Sequence, residues 1–356
     1  MPTAIVTGSG GLIGSAVVSL LVEEGFDVAG IENDMRAGFF GSEASTKPVT
    51  ERLLADYATF RSIEADVRDV DAVERVFRGR GDVEIVVHTA AQPSHDWAAS
   101  DPQTDFAVNA TGTLIVLEAT RKMAPEATFV FTSTNKVYGD TPNSLPVVVH
   151  DRRLDLPSDH PYYDGIDTKM SLDRTSHSLF GVSKAAADLL VQEYGRRFGL
   201  PTVCFRLGCV TGSRHAGTML HGFLSYLMRC AVTGRPYAVL GYGGKQVRDN
   251  LHSTDVARAM LTFHRRPESG AVYNLGGGRE SNCSLLEAID LCEQITGRPL
   301  QWTLTDTPRY GDHRWWISDV REFRRDHPSW SLTADVPAML REIFQRNAEM
   351  WIAEAP

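Results

Sequence analysis

The stretch IVTGSGGLIGS at residues 5–15 limits the fold more than any other part of this chain. A short apolar run, TAIVTG, ends at Gly8, Gly11 and Gly14 in a G-x-x-G-x-x-G spacing, and GSAVVSLLVEEG follows with helical periodicity. Strand, glycine turn and helix in that order form a phosphate cradle. The glycines allow a tight turn, close approach of backbone to a pyrophosphate and tight helix–strand packing, and the helix N-terminus favours the anion. Leu12 and Ile13 complete the loop. A second apolar run, DVAGIE, ends in Glu32, eighteen residues beyond Gly14 (32 − 14), with Asn33 next. An acidic side chain there accepts from both hydroxyls of an adenosine ribose and repels a 2′-phosphate, so the pattern selects NAD over NADP.

The alternation continues to about Thr134. VEIVVHTAA and ATFVFTST alternate with the helix-like DVDAVERVFRG and TGTLIVLEATRKM, and no internal repeat interrupts them. This order predicts an α/β fold, a Rossmann-type doubly wound parallel sheet with helices on both faces. Asp66 and Val67 after the third strand, and Ala90, Ala91 and Gln92 after the fourth, fall where adenine and its ribose would pass. Residues 142–178 are rich in Pro, Asp, His and Ser and read as a loop long enough to line a site. A helix is expected from Ser178, capped by its hydroxyl, with Leu190, Tyr194 and Phe198 on one side. PTVCFRLGCV reads as a further sheet strand. The expected division is an NAD-binding domain over 1–205, onto which segments near 255–277 pack back, and a smaller mixed α/β ligand-binding region over 206–356. The cleft between them is the expected site.

A chain of 356 residues can bury a substantial core, and its net charge of −9 leaves no broad basic surface for nucleic acid or an anionic membrane. Phosphate must then be met by local arginines. The five cysteines, Cys204, Cys209, Cys230, Cys283 and Cys292, form no CxxC pair and read as reduced core thiols. His88 reads as a packed residue beside the cofactor, and His95, His215, His221 and His313 share no metal-ligand spacing, so no metal is expected. The opening MPTAIVTG leaves no space for a leader, and no apolar run is long enough to span a bilayer, which predicts a cytoplasmic protein.

Together with Thr134, Tyr138 and Lys184, these motifs resemble the extended short-chain dehydrogenase/reductases, the NAD-dependent nucleotide-sugar epimerases and dehydratases, over nearly the whole chain. STNKVYGD at 133–140, GKQVRDNLHSTD at 244–255 and YNLGG at 273–277 are similar to stretches of its CDP-paratose (CDP-tyvelose) 2-epimerase branch. The resemblance implies bound NAD, a nucleotide-diphosphate sugar as substrate, and a homodimer. It implies an isomerase of carbohydrate metabolism that oxidises a ring hydroxyl to a keto sugar and returns hydride to the opposite face. It assigns Thr134 to the reacting sugar oxygen, Lys184 to the nicotinamide ribose, and Ser94 and Asn135 to the substrate. Arg206, Arg248 and Arg309 suit the diphosphate as fixed cationic forks, and Asp312 a ribose or base. Cys209 stands where many relatives carry asparagine. Related 4,6-dehydratases carry an Asp–Glu pair where this chain has Asn135 and Lys136, so dehydration is disfavoured. Position C2 of a CDP-sugar is the expected centre; a C4-acting epimerase or a uronic acid decarboxylase is the alternative.

One position departs from the pattern. The family pairs a tyrosine with a lysine four residues on, on one helix face, and the lysine lowers the phenol's pKa for proton removal. Here Phe180 precedes Lys184. Three explanations stand: an engineered replacement of the tyrosine; a native phenylalanine, with Tyr162, Tyr163, His177 or Lys136 taking the proton; or a catalytically weak NAD- and nucleotide-sugar-binding or regulatory protein. Trp315 and Trp316 read as core residues, with base stacking as the alternative.

Overall fold

The computed structural model describes residues 1–215, 217–218 and 222–353. Five strands come first: β1 (Thr3–Thr7), β2 (Asp27–Glu32), β3 (Phe60–Glu64), β4 (Val83–His88) and β5 (Thr128–Thr134). Strands Thr202–Leu207 and Ala271–Leu275 complete a sheet whose order from one edge is Ala271–Leu275, Thr202–Leu207, β5, β4, β1, β2, β3. Every pairing in it is parallel. The chain reverses direction across the sheet between β1 and β4, which opens a crevice at the strands' carboxyl ends.

The strands read as continuous apolar runs because both faces are covered. Ala4, Val6, Val28, Val87 and Phe205 point to one face, under α1 (Leu12–Glu23) and helix Ser253–Arg265. Ile5, Ala29, Val86, Phe129 and Phe131 point to the other, under helices Val70–Arg78, Gly112–Met123 and Leu179–Phe198. Strand Ala271–Leu275 and helix Ser253–Arg265 thus belong to the sheet layers although they follow the first 205 residues.

A second core lies among helices Phe223–Thr233, Leu285–Thr296 and Val336–Ala353. Strand Val247–His252 joins the regions, pairing with Cys209–Thr211, Asn282–Ser284 and Trp315–Trp316. Segment 142–178 holds little regular structure: the end of a 3-10 turn at Thr141–Ser144, a short pair of Val148–Val149 with Leu154–Asp155, and a bridge from Ile166 to Ser318. Its Leu145, Leu156, Ile166 and Met170 nevertheless form a core with Tyr138, Trp315 and Trp316. Both tryptophans are fully buried, with their indole N–H groups donating to Asp155 and Ser318, so they pack rather than stack a base.

Candidate active site

A cavity of ≈ 480 Å³ follows the carboxyl edge of the sheet from the glycine loop to the second region. At the loop, Gly8 has φ +68°, and a Cβ there would lie 2.8 Å from Ala90 N. A Cβ on Gly14 would lie 2.1 Å from Gly8 O. Only glycine fits either position. Glu32 ties the acidic strand end to this loop: Oε2 accepts from Gly10 N at 2.9 Å, and Oε1 from Asn33 N at 3.0 Å and Asp34 N at 2.9 Å. Asn33 Nδ2 donates to Asp66 at 3.1 Å, and the Arg68 guanidinium holds the Asp66 carboxyl below its ordinary value. Leu12, Ile13, Val67, Ala90 and Ala91 line the same end. A backbone cradle, a helix N-terminus and a carboxylate at the β2 end fit the pyrophosphate and ribose of a dinucleotide.

The other end is built on β5 and helix Leu179–Phe198. Thr134 ends the strand, and its Oγ1 accepts from Lys136 N at 3.2 Å, which starts the short turn Asn135–Tyr138. Ser178 caps the helix, accepting from Gly181 N at 3.0 Å, as the sequence predicts. This helix carries Phe180 and Lys184 to the cavity. Lys184 Nζ donates to Thr132 O at 2.7 Å and sits 4.1 Å above the Phe131 ring; burial lowers its ammonium to about 8. Lys136 Nζ donates to Gly311 O at 2.9 Å and lies 3.7 Å from Asp312, and burial lowers it likewise to about 8. Burial works to raise Asp312, but Lys136, Arg248 and Arg309 outweigh it and leave the carboxyl below its ordinary value. Arg248 lies 4.0 Å from Asp312, and Arg309 pairs with Asp96 at 2.6 Å. Asn135, Arg248, Arg309, Asp312 and Cys209 all line the cavity.

Three expected site residues lie off the cavity. Arg206 is buried, with Nε and Nη2 bonded to Asp188 at 3.1 and 2.8 Å and Nη1 donating to the Tyr138 hydroxyl at 2.9 Å. It neutralises a buried carboxylate rather than facing a ligand. Gln92 turns inward to Ser94 O and Asp105, and Ser94 caps helix His95–Ser100. Both satisfy backbone and buried polar groups instead. Of the alternative proton acceptors, His177 is committed to Val137 O at 2.8 Å, and Tyr163 is covered by the Arg279 guanidinium at 3.9 Å from its ring centroid. Neither these nor Tyr162 lines the cavity. His88 bridges Thr7 and Thr113 and is held at about 3 by burial, hence neutral. His221 lies outside the described residues; among those, no cluster suits a metal ion.

From sequence, His95 has no role beyond that of a histidine without metal-ligand spacing. It lines the cavity, with its ring 5.1 Å from Phe180 and Nδ1 hydrogen-bonded to Ser178 at 2.7 Å. Burial and Lys136 lower it to about 3. Its position after a capping serine carries no signal that distinguishes a cavity wall from a solvent-facing first turn.

One parallel-sheet crevice thus holds a glycine cradle suited to a dinucleotide at one end and Thr134 and Lys184 at the other. The profile of the NAD dependent epimerase/dehydratase family matches residues 4–276, and the chain belongs to that family. It is 30% identical over 329 residues to CDP-paratose 2-epimerase of Salmonella typhi, covering 89% of this chain and 91% of that one. It is 28% identical to a putative UDP-glucose 4-epimerase of Methanocaldococcus jannaschii, covering 86% of this chain and 87% of the relative. The fold matches UDP-glucuronic acid 4-epimerase from Bacillus cereus, solved with UDP-glucuronic acid and NAD, with a TM-score of 0.77 and 22% identity over 98% of this chain and 99% of that one.

Proposed function

We propose that the protein is a nucleotide-sugar epimerase that inverts C2 of a CDP-sugar. The observation that carries this reading is a single cavity shared by the glycine loop, Thr134 with Lys184, and the cationic wall of Arg248 and Arg309. Similarity to CDP-paratose 2-epimerase favours C2. Bound NAD supplies an acceptor and donor of hydride. The glycine loop and Glu32 hold its pyrophosphate and adenosine ribose, and Lys184 its nicotinamide ribose. Thr134 Oγ1 bonds the reacting sugar oxygen. Arg248 and Arg309 bind the diphosphate, and Asp312 a ribose or base. Asn135 and Lys136 offer no carboxyl pair for dehydration. The five free thiols suit the cytoplasm, where such groups stay reduced.

Proton NMR of the protein with CDP-, UDP- and GDP-sugars tests this reading. Inversion at C2 supports it. Inversion at C4, the reading favoured by similarity to the UDP-glucose 4-epimerase, replaces it, as does release of carbon dioxide from a uronic acid. Binding without conversion leaves a sensor or regulatory protein. Arg248→Met is expected to weaken binding of the converted sugar about tenfold or more, through loss of charge-assisted bonds worth about 1.5–3 kcal/mol. Calorimetry reads the change, and unaltered affinity removes Arg248 from the diphosphate site.

Self-association is part of the proposal. Leu179, Val182 and Leu189 leave 45%, 45% and 52% of their surface exposed on helix Leu179–Phe198, an apolar face suited to a twofold helix pair. Sedimentation at a single-chain mass would eliminate the homodimer.

A further inference from the structure

We infer that the Lys136 amine accepts the sugar hydroxyl proton in place of the phenol that Phe180 lacks. This rests on the nucleotide-sugar reading above.

Lys136 stands two residues beyond Thr134, in the turn that leaves β5. A Cβ on Gly181 would lie 2.9 Å from Lys136 O, so this turn packs against the first turn of the helix carrying Phe180. Its side chain keeps 15% exposure at the cavity wall. The other titratable groups lining the cavity serve less well. Glu32 and Asp66 are engaged at the adenosine end. Lys184 is buried, its ammonium held between Thr132 O and the Phe131 ring. Asp312, held below its ordinary value, and His95 and His215, both lowered to about 3, are weak bases, and burial keeps the Cys209 thiol, raised to about 11, and the Tyr237 hydroxyl, pushed well above its ordinary value, protonated.

The groups facing Lys136 are Asp312, Arg248, Cys209, Arg309, His95 and His313, and burial holds His313 well below its ordinary value, hence neutral. Burial lowers the ammonium most, Arg248 and Arg309 lower it further, and Asp312 and Cys209 oppose them, which leaves it at about 8. A neutral amine is therefore accessible in mild base. The step balances: the O–H proton passes to Nζ, making ammonium, the C–H hydrogen leaves with its electron pair to the nicotinamide cofactor, and the carbon–oxygen double bond forms. The sugar loses two electrons and the cofactor gains them. Return to the opposite face restores all three groups. Because the acceptor is the neutral form, sugar oxidation should rise with pH through about 8.

The test compares wild type, Lys136→Met and Lys136→Arg as NAD-loaded proteins. Sugar conversion, retained NAD and the Cε resonances of 13C-labelled lysines are followed between about pH 6 and 10. Both variants should lose about 100-fold or more of the turnover while keeping NAD, because arginine keeps the charge but cannot deprotonate. Of the two lysine resonances titrating near pH 8, that of Lys184 should remain in the variants and that of Lys136 should vanish. If either variant turns over within tenfold of wild type, or no titrating resonance belongs to Lys136, the proton role is overturned and the epimerase reading stands. If wild type converts no sugar of the panel, both are overturned.

Discussion

Replacing Gly14 by valine should empty the purified protein of NAD. The new Cβ would stand 2.1 Å from Gly8 O and 2.8 Å from Gly8 C, distances at which no side-chain carbon survives. The loop must open, and Gly8 cannot yield on its far side because Ala90 backbone already closes on it. The same carbonyl accepts from Gly11 N at 3.0 Å, so opening also breaks the turn at the helix N-terminus. Overpacking of this kind costs about 1–3 kcal/mol, but the larger effect is on the pyrophosphate cradle. Nicotinamide released on acid denaturation should fall at least about tenfold relative to wild type. Gly81→Ala is the control, since a Cβ there meets nothing within 4 Å. Equal NAD content in Gly14→Val and wild type would remove the loop from the cofactor site.

Arg206→Met should unfold the protein more readily without first changing what it binds. Asp188 is completely buried, and Arg206 is the cation hydrogen-bonded to it; its other side-chain partners are Ser133 and Gln192. Removing the guanidinium leaves a buried charge with hydrogen bonds but without its ion-pair partner, a loss of about 3–5 kcal/mol. The Tyr138 hydroxyl keeps only its bond to Asn274. A fall in melting temperature of roughly 10 °C is expected, with nucleotide-sugar affinity unchanged in the folded fraction. Lost affinity at unaltered stability would return Arg206 to the ligand site.

These two residues mark what sequence can and cannot convey. Gly14 is legible because its partners lie in the same short loop, and the spacing of glycines along a strand–turn–helix unit is itself the geometry. The parallel sheet is legible for a related reason: strands buried on both faces print unbroken apolar runs. Arg206 misleads because its partner, Asp188, lies 18 positions earlier on a helix that packs beneath the strand. Nothing in the sequence distinguishes an arginine facing a buried carboxylate from one facing a diphosphate. Gln92 and Ser94 fail likewise, since a one-residue change of facing in a strand-end loop separates a cavity wall from a buried cap. The loop 142–178 is visible as loop, while its contribution to a core with Trp315 and Trp316 depends on partners well over 100 residues away. Phe180 is legible only as an absence, and its surroundings emerge from packing: the His95 ring from the β4 end, and the turn holding Lys136 from the β5 end against the first turn of its helix.

The central claim is internal return of hydride to the opposite face of one sugar carbon, with the cofactor bound throughout. Its most direct measurement is conversion of the accepted nucleotide sugar in deuterium oxide, followed together by proton NMR and by reduced-nicotinamide absorbance. The proposed mechanism predicts an inverted centre that keeps its original hydrogen, with transient absorbance during turnover. Deuterium from solvent at the inverted carbon would contradict it, as would conversion that proceeds undiminished in protein stripped of NAD.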